Sequence, residues 1–231
     1  EKPLAVTMDE LKEIHQLYSQ AASQRLMVGF NRRYSQPFRD IKSFMRDVKE
    51  PLVISYRVNA GFLPKEHWTQ QPGQGGRLIG EGCHFIDCMA FLTDSNPMSV
   101  YAESITSDNT QVTPYDNVCL VVKFANGSIG TLLYVANGDK ALAKEYCEIY
   151  GGGKCAVMDN FNRVHFFADG KVKKIRYSGD KGHGEEVRAF IDTLEGKANS
   201  IIPFDSLVNT TLVTLKACES LKIKMPLLTT L

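Results

Sequence analysis

The sequence predicts an α+β fold, with one large, mostly antiparallel open sheet and helices on one face. Three observations carry this. From Ser99 onward, short strand-like runs follow one another, with Asn126-Gly127, Asn137-Gly138 and Asp169-Gly170 as turn signals between them. Their spacing is shorter than the dozen or more residues that a parallel crossover needs, so neighbours are expected to be antiparallel. Helical periodicity frames the run at both ends.

Taken in order, residues 7–24 read as a helix, with Thr7 and Asp9 as cap candidates and Leu11, Ile14, Leu17, Tyr18 and Ala21 at helical spacing. Residues 26–30 follow as a short buried strand. A second helix runs from Gln36 to about Val48, with Phe38, Ile41, Phe44 and Met45 inward, and Pro51 stops it. Residues 52–59 alternate as a strand. The Gly/Pro/Gln-rich stretch 60–76 contains Trp68, and structureless segments of that length are often functional. Residues 78–92 return to helical periodicity. The strand-like runs then span 100–106, 117–124, 129–136, 145–150, 155–158, 164–167 and 171–177, and helices over 185–194 and 204–221 close the chain. Apolar residues occupy both parities of some strands, as in Val118, Leu120, Val121 and Val122, so the second sheet face is expected to be covered by another subunit; partial solvation is the other reading.

Composition narrows the function classes. A formal charge of +1 gives no bulk attraction to nucleic acid or anionic membrane. No apolar stretch approaches the roughly 18–20 residues that span a bilayer, and no signal-peptide pattern opens the chain, so a cytoplasmic protein is expected. The first residue is Glu1, and Glu-Lys-Pro leads straight into a helix, so the chain is expected to be a fragment missing an N-terminal portion. Cys83, Cys88, Cys119, Cys147, Cys155 and Cys218 form no C-x-x-C pair and read as reduced core thiols. The histidines are scattered without ligand spacing, so no metal site is expected.

The glycine runs do not make a nucleotide loop. Gly73-Gln74-Gly75-Gly76 follows a long loop, and Gly151-Gly152-Gly153 lies between two strands; neither forms G-x-G-x-x-G between a strand and a helix. The chemistry-bearing segment is instead Gly80-Glu81-Gly82-Cys83-His84-Phe85-Ile86-Asp87. On a helix Glu81, His84 and Asp87 share a face at successive i, i+3 steps. An imidazole flanked by two carboxylates suits proton transfer near neutral pH. The bland alternative is an ion-paired histidine on a solvated face. Lys2, before Pro3, is either a solvated charge or an amine whose direction the X-Pro bond sets, a cis bond being possible there. Trp68, beside His67, is a candidate sugar-stacking platform or a packed loop anchor.

Three segments together carry a resemblance. Glu1-Lys2-Pro3-Leu4-Ala5, Val28-Gly29-Phe30-Asn31-Arg32-Arg33-Tyr34, and Gly75-Gly76-Arg77 running into His84-x-x-Asp87 resemble, in that order, the Gfo/Idh/MocA oxidoreductase family, which includes glucose–fructose oxidoreductase and inositol dehydrogenase. The resemblance covers essentially the whole chain. It implies that residues 1–34 end a Rossmann-type dinucleotide-binding domain and that 35–231 form the C-terminal substrate-binding and oligomerisation domain. It also implies roles. Lys2 lies near the nicotinamide and the reacting hydroxyl, so it is a catalytic and a cofactor-binding candidate. His84 is the general acid/base, and Asp87 orients or contacts substrate. Asn31, Arg32 and Asn59 are substrate-binding candidates, as is Trp68 from its own chemistry. One position departs from the pattern: many members carry Asp four residues before the histidine, where this chain has Gly80. Glu81 is the candidate to supply that carboxylate. The Gly-Glu-x-Cys-His-Phe arrangement is similar to a subgroup found fused to or beside zinc-type dehydrogenase modules.

The expected activity is therefore NAD- or NADP-dependent oxidation, or the reverse reduction, at a secondary hydroxyl of a sugar, sugar nucleotide or cyclic polyol. The expected partners are the carbohydrate and further copies of the chain, joined through the open sheet face. As supplied, the chain is expected to be inactive alone. The rival readings are a non-catalytic sugar-sensing module and a purely oligomerising one.

Overall fold

The computed structural model describes residues 1–20, 25–71, 73–109, 112–198 and 201–230. Helix α1 (Met8–Gln20) begins at a capping box: Thr7 Oγ1 accepts from Glu10 N at 3.2 Å, and Glu10 Oε2 accepts from Thr7 N at 3.1 Å. Thr7, not Asp9, is the cap; Asp9 lies in the first turn, where a negative charge suits the helix dipole. Residues 21–24, which the sequence reading includes in this helix, lie outside the described residues. α1 buries Leu11 and stacks Tyr18 on Phe204 at 3.7 Å between ring centroids.

Residues 26–30 are not a strand. No neighbouring strand pairs with them among the described residues, and without a ladder an apolar run stays irregular. Val28 and Phe30 are still buried, packed with Cys83, Ile202 and Leu207. A 3-10 turn, Asn31–Tyr34, leads into α2 (Gln36–Met45), which ends three residues before Val48.

The sheet strands are β1 (Val53–Asn59), β2 (Pro97–Ser104), β3 (Val118–Phe124), β4 (Ile129–Val135), β5 (Glu145–Gly151), β6 (Lys154–Asp159), β7 (Arg163–Ala168), β8 (Lys171–Arg176) and β9 (Leu227–Leu228). Among the described residues they form one sheet in the order β8-β7-β6-β5-β1-β4-β3-β2-β9. The expectation of a mostly antiparallel open sheet holds; the exception is the parallel pair β1–β4, from Val53↔Ile129 to Asn59↔Val135. β1 enters between β4 and β5. Asn137-Gly138 therefore does not close a hairpin between paired neighbours, although Asn126-Gly127 and Asp169-Gly170 do. β9 was not expected, and it pairs with β2 over two residues.

One face of the sheet is covered by α2, α3 (Cys83–Thr93) and α5 (Phe204–Ile223), with Phe38, Ile41, Phe85, Met89, Val213 and Ala217 in one core with Ile54, Tyr56, Val122, Leu132, Tyr134 and Ile149. Strict alternation in β3 shows the consequence: Val118, Leu120, Val122 and Phe124 are buried, while Cys119, Val121 and Lys123 are exposed on the other face. Cys119 is thus a surface thiol and not a core one, because the period of two sends it outward. Cys83, Cys88 and Cys147 are buried and free. Among the described residues no helix is long and apolar enough to cross a membrane.

The helix expected over 78–92 has an irregular start. Leu78–Gly82 form a π turn, and only from Cys83 does α-geometry hold. The last connection that positions the site is the approach to α4 (His183–Leu194). Gly182 has φ +88°, and a Cβ there would lie 2.5 Å from Ser35 N and 2.6 Å from Asn31 O. Only glycine lets this loop press against the 3-10 turn.

Candidate active site

Lys2, Arg32, Trp68, Glu81 and His84 line a single cavity of about 400 Å³, together with Glu1, Arg77, Gln74 and Gly80. Residues distant in sequence meet there because the chain's first residues cross the π turn: the Lys2 ammonium donates to the carbonyl of Gly80, and the Lys2–Pro3 peptide is cis. A larger groove, about 670 Å³, lies between α2 and the β7–β8 hairpin, lined by Asp40, Phe44, Phe166, Lys171 and Val172; it contains none of the candidate site residues.

His84 sits in the first turn of α3, buried, with its ring in a T-shaped contact with Phe30 (centroids 6.0 Å apart). Its Nδ1 is buried and has no hydrogen-bond partner. Burial, followed by the positive charges of Arg32 and Lys2, pushes its pKa far below the ordinary histidine value, so the ring is neutral at pH 7.

The predicted carboxylate–imidazole–carboxylate stripe does not form. Among the described residues neither carboxylate bonds the His84 ring. The π turn breaks the i, i+3 register between Glu81 and His84, and Glu81 turns toward the sheet. There it accepts from Tyr134 Oη, from Lys144 Nζ at 2.5 Å and from Arg77 at 3.4 Å. Burial opposes its ionisation, but Lys144, Tyr134 and Arg77 outweigh burial and hold the carboxyl below its usual pKa. Asp87 does lie one α-turn past His84, but it is fully buried behind the cavity in a two-pronged pair with Arg33, through Nε at 2.9 Å and through Nη2. Burial raises its pKa more than Arg33 lowers it. Asp87 therefore anchors the helix against the Arg32-Arg33 turn and does not face the cavity.

Arg32 reaches the cavity wall because Glu145, at the start of β5, grips it from behind. Glu145 is wholly buried and accepts from Arg32 Nε and Nη2 (both 2.9 Å), Tyr56 Oη (2.8 Å) and Lys181 Nζ (2.7 Å). Burial opposes its charge, but Arg32 and then Lys181 hold its pKa down to about 2. Asn31 is buried outside the cavity, donating to Lys181 O at 2.8 Å. Asn59 is also outside it, donating to Asp139 O (2.7 Å) and Leu142 O (3.0 Å), so it ties down the β4–β5 connection. Trp68, on a short 3-10 turn at the rim, is 66% exposed, which suits a platform and not a packed anchor.

Sequence reading missed Glu145, Lys144 and Tyr134 as partners in the site. Glu145 pairs with a residue 113 positions away, and no local pattern announces that. Arg77 was visible in its Gly-Gly-Arg motif; its guanidinium binds the carbonyls of Gly61 at 2.5 Å and Ala60 at 3.2 Å, closing the long loop over the site.

No curated protein matches the chain. The fold is similar to myo-inositol 2-dehydrogenase from Lactobacillus plantarum (TM-score 0.76, 20% identity, 98% of this chain and 71% of that one). It is similar to an oxidoreductase from Agrobacterium radiobacter solved with NAD+, L-tartaric acid and magnesium (TM-score 0.78, 18% identity, 99% and 71%). It is also similar to the aldose–aldose oxidoreductase of Caulobacter crescentus (TM-score 0.79, 14% identity, 98% and 70%). Residues 50–157, a little under half of the chain, match the family described as the GFO/IDH/MocA C-terminal domain.

Proposed function

We propose that this chain is the substrate side of an NAD(P)-dependent oxidoreductase that acts on a secondary hydroxyl of a sugar, sugar nucleotide or cyclic polyol. Residues 1–34 then complete a dinucleotide-binding domain whose larger part is not in this chain, and 35–231 bind substrate. On that reading the chain alone is inactive. The observation that carries the proposal is the pairing, in one cavity, of the Lys2 ammonium with a buried, uncharged His84.

The residues present fit the reacting end of such a cofactor. Lys2 has three N–H donors and spends one on Gly80 O, and the orphaned Nδ1 of His84 shows a ring not yet satisfied by protein. NAD(P), when bound, supplies the acceptor for a hydride. The chain's own work is proton handling. Neutral His84 takes the hydroxyl proton on a ring nitrogen, while Lys2 donates a hydrogen bond to the same oxygen and stabilises its developing negative charge. Trp68 at the rim offers a flat apolar face to a sugar ring.

The outer sheet face supports assembly. Val53, Val121, Leu133 and Tyr150 are 52, 39, 46 and 39% exposed on neighbouring central strands, apolar side chains on a face suited to contact with a second copy in the cytoplasm. Assaying the complete protein for nicotinamide reduction against a panel of sugars and polyols tests the function. Turnover is expected, and His84→Ala should lower it about 10²–10⁴-fold while substrate still binds. No turnover with any member of the panel, or full turnover in the variant, overturns the proposal.

A further inference from the structure

Residues 60–77 contribute Leu63, Trp68, Thr69, Gln74 and Arg77 to the cavity lining, whereas Lys2, Arg32 and His84 come from elsewhere in the chain. The groups assigned to the proton and the groups that face the rest of a substrate are thus carried by different segments.

Little packing holds the long segment in place. None of residues 61–71 and 73–76 is buried, so burial of apolar side chains does not fix it. Among the described residues, the hydrogen bonds of 62–74 stay within the segment, with one exception. His67 N donates to Pro64 O at 3.0 Å, Gln70 N to His67 O at 2.8 Å and Gln71 N to Trp68 O at 3.1 Å. The exception is Gln70, whose Nε2 donates to the Asp116 carboxylate. Gln70 ends the same 3-10 turn that Trp68 begins. Asp116 is buried and does not line the cavity. Its own position is fixed: it ends the 3-10 turn Pro114–Asp116, and the next residue, Asn117, accepts from Ala136 N at 2.9 Å and Asn137 N at 3.1 Å, just past β4. A carboxylate buried against an amide donor adds little stability, but it is a strong acceptor in a set place.

We propose that Asp116 is a positioning residue for substrate: through Gln70 it sets where Trp68 stands at the cavity rim, and so how well a sugar or polyol ring is held beside Lys2 and His84. This rests on the oxidoreductase reading above. Because the tether lies apart from the groups that move the proton, loosening it should weaken substrate capture and spare the chemical step.

The test uses the complete protein labelled with 5-fluorotryptophan, the Trp68 ¹⁹F resonance being assigned by its loss in Trp68→Phe. Gln70→Ala and Asp116→Ala should move that resonance toward its position in the unfolded protein. Asp116→Asn, whose amide oxygen still accepts from Gln70, should keep it near the parent's. In steady-state kinetics with the sugar or polyol of the panel that turns over best, Gln70→Ala should raise KM about two- to tenfold, the scale of one aromatic contact, and leave kcat within about twofold. In a Trp68→Ala background the same change should do nothing further, because the tether acts only through the indole. Gln70 is half-exposed, so Gln70→Ala stays readable if Asp116→Ala does not fold. The resonance needs no turnover, so failure here is distinct from failure of the oxidoreductase assignment. An unmoved Trp68 resonance in Gln70→Ala, a lowered kcat at the parent's KM, or a KM effect that persists without Trp68 overturns the inference.

Discussion

Arg32 and Arg33 are consecutive, and each is captured by a buried carboxylate, yet the two captures differ. Glu145 has Arg32, Lys181 and the Tyr56 hydroxyl around it and stays ionised down to about pH 2. Asp87 has Arg33 alone, and burial moves its carboxyl the other way, above the usual range. One bonded cation, even with the more distant charge of Arg32, does not repay the desolvation of Asp87, whereas two bonded cations repay that of Glu145. The well-satisfied cluster therefore stands directly behind the cavity wall, where it fixes Arg32, and the less satisfied pair stands behind α3, where it fixes the helix that carries His84.

Substitutions can break that contrast. Glu145→Ala leaves Arg32 and Lys181 facing each other without their shared carboxylate, and should cost about 3–5 kcal/mol in urea unfolding. Asp87→Asn keeps an acceptor for Arg33 and should cost less, roughly 1–3 kcal/mol. Equal losses would show that the number of partners is not what separates the two sites. A smaller, pH-dependent effect belongs to a third buried carboxylate, Glu186 on α4. Burial first, then Asp87 and Glu1, raise its pKa to about 7 against the opposing pull of the N-terminal amine, and its Oε1 has no partner. The fold keeps this carboxyl protonated where the unfolded chain ionises, so it costs stability as pH rises from the usual carboxylate range through 7. Glu186→Gln should therefore stabilise the protein relative to the parent above pH 7 and make little difference near pH 4. A constant offset at both pH values would contradict the assignment.

What could be read from the sequence follows from the range of the interactions involved. Strands β2–β8 announced themselves because alternation and turn dipeptides are local. The place of β1 between β4 and β5 did not, because a parallel pairing after a long excursion leaves no local mark. Residues 26–30 looked like a strand because burial and strand pairing produce the same apolar run; Val28 and Phe30 are buried without a ladder. In the site, Lys2 and His84 were legible from short motifs, and the cavity brings both together. The Glu81–His84–Asp87 stripe assumed regular α-helix, and the π turn at Leu78–Gly82 separated its members onto different partners. Cys119 was placed in the core because its neighbours are apolar, while strand alternation turns it outward.

The account rests on an imidazole that is neutral because it is buried, with cations adding to the effect of burial. Long-range ¹H–¹⁵N spectra of the His84 ring, followed between about pH 5 and 8, test this directly against the ordinary histidine pKa near 6.5. The structure predicts a neutral ring throughout, with no inflection. A titration centred near or above the ordinary value would show that burial and the neighbouring cations do not hold the ring neutral, and would contradict the electrostatics described for the cavity.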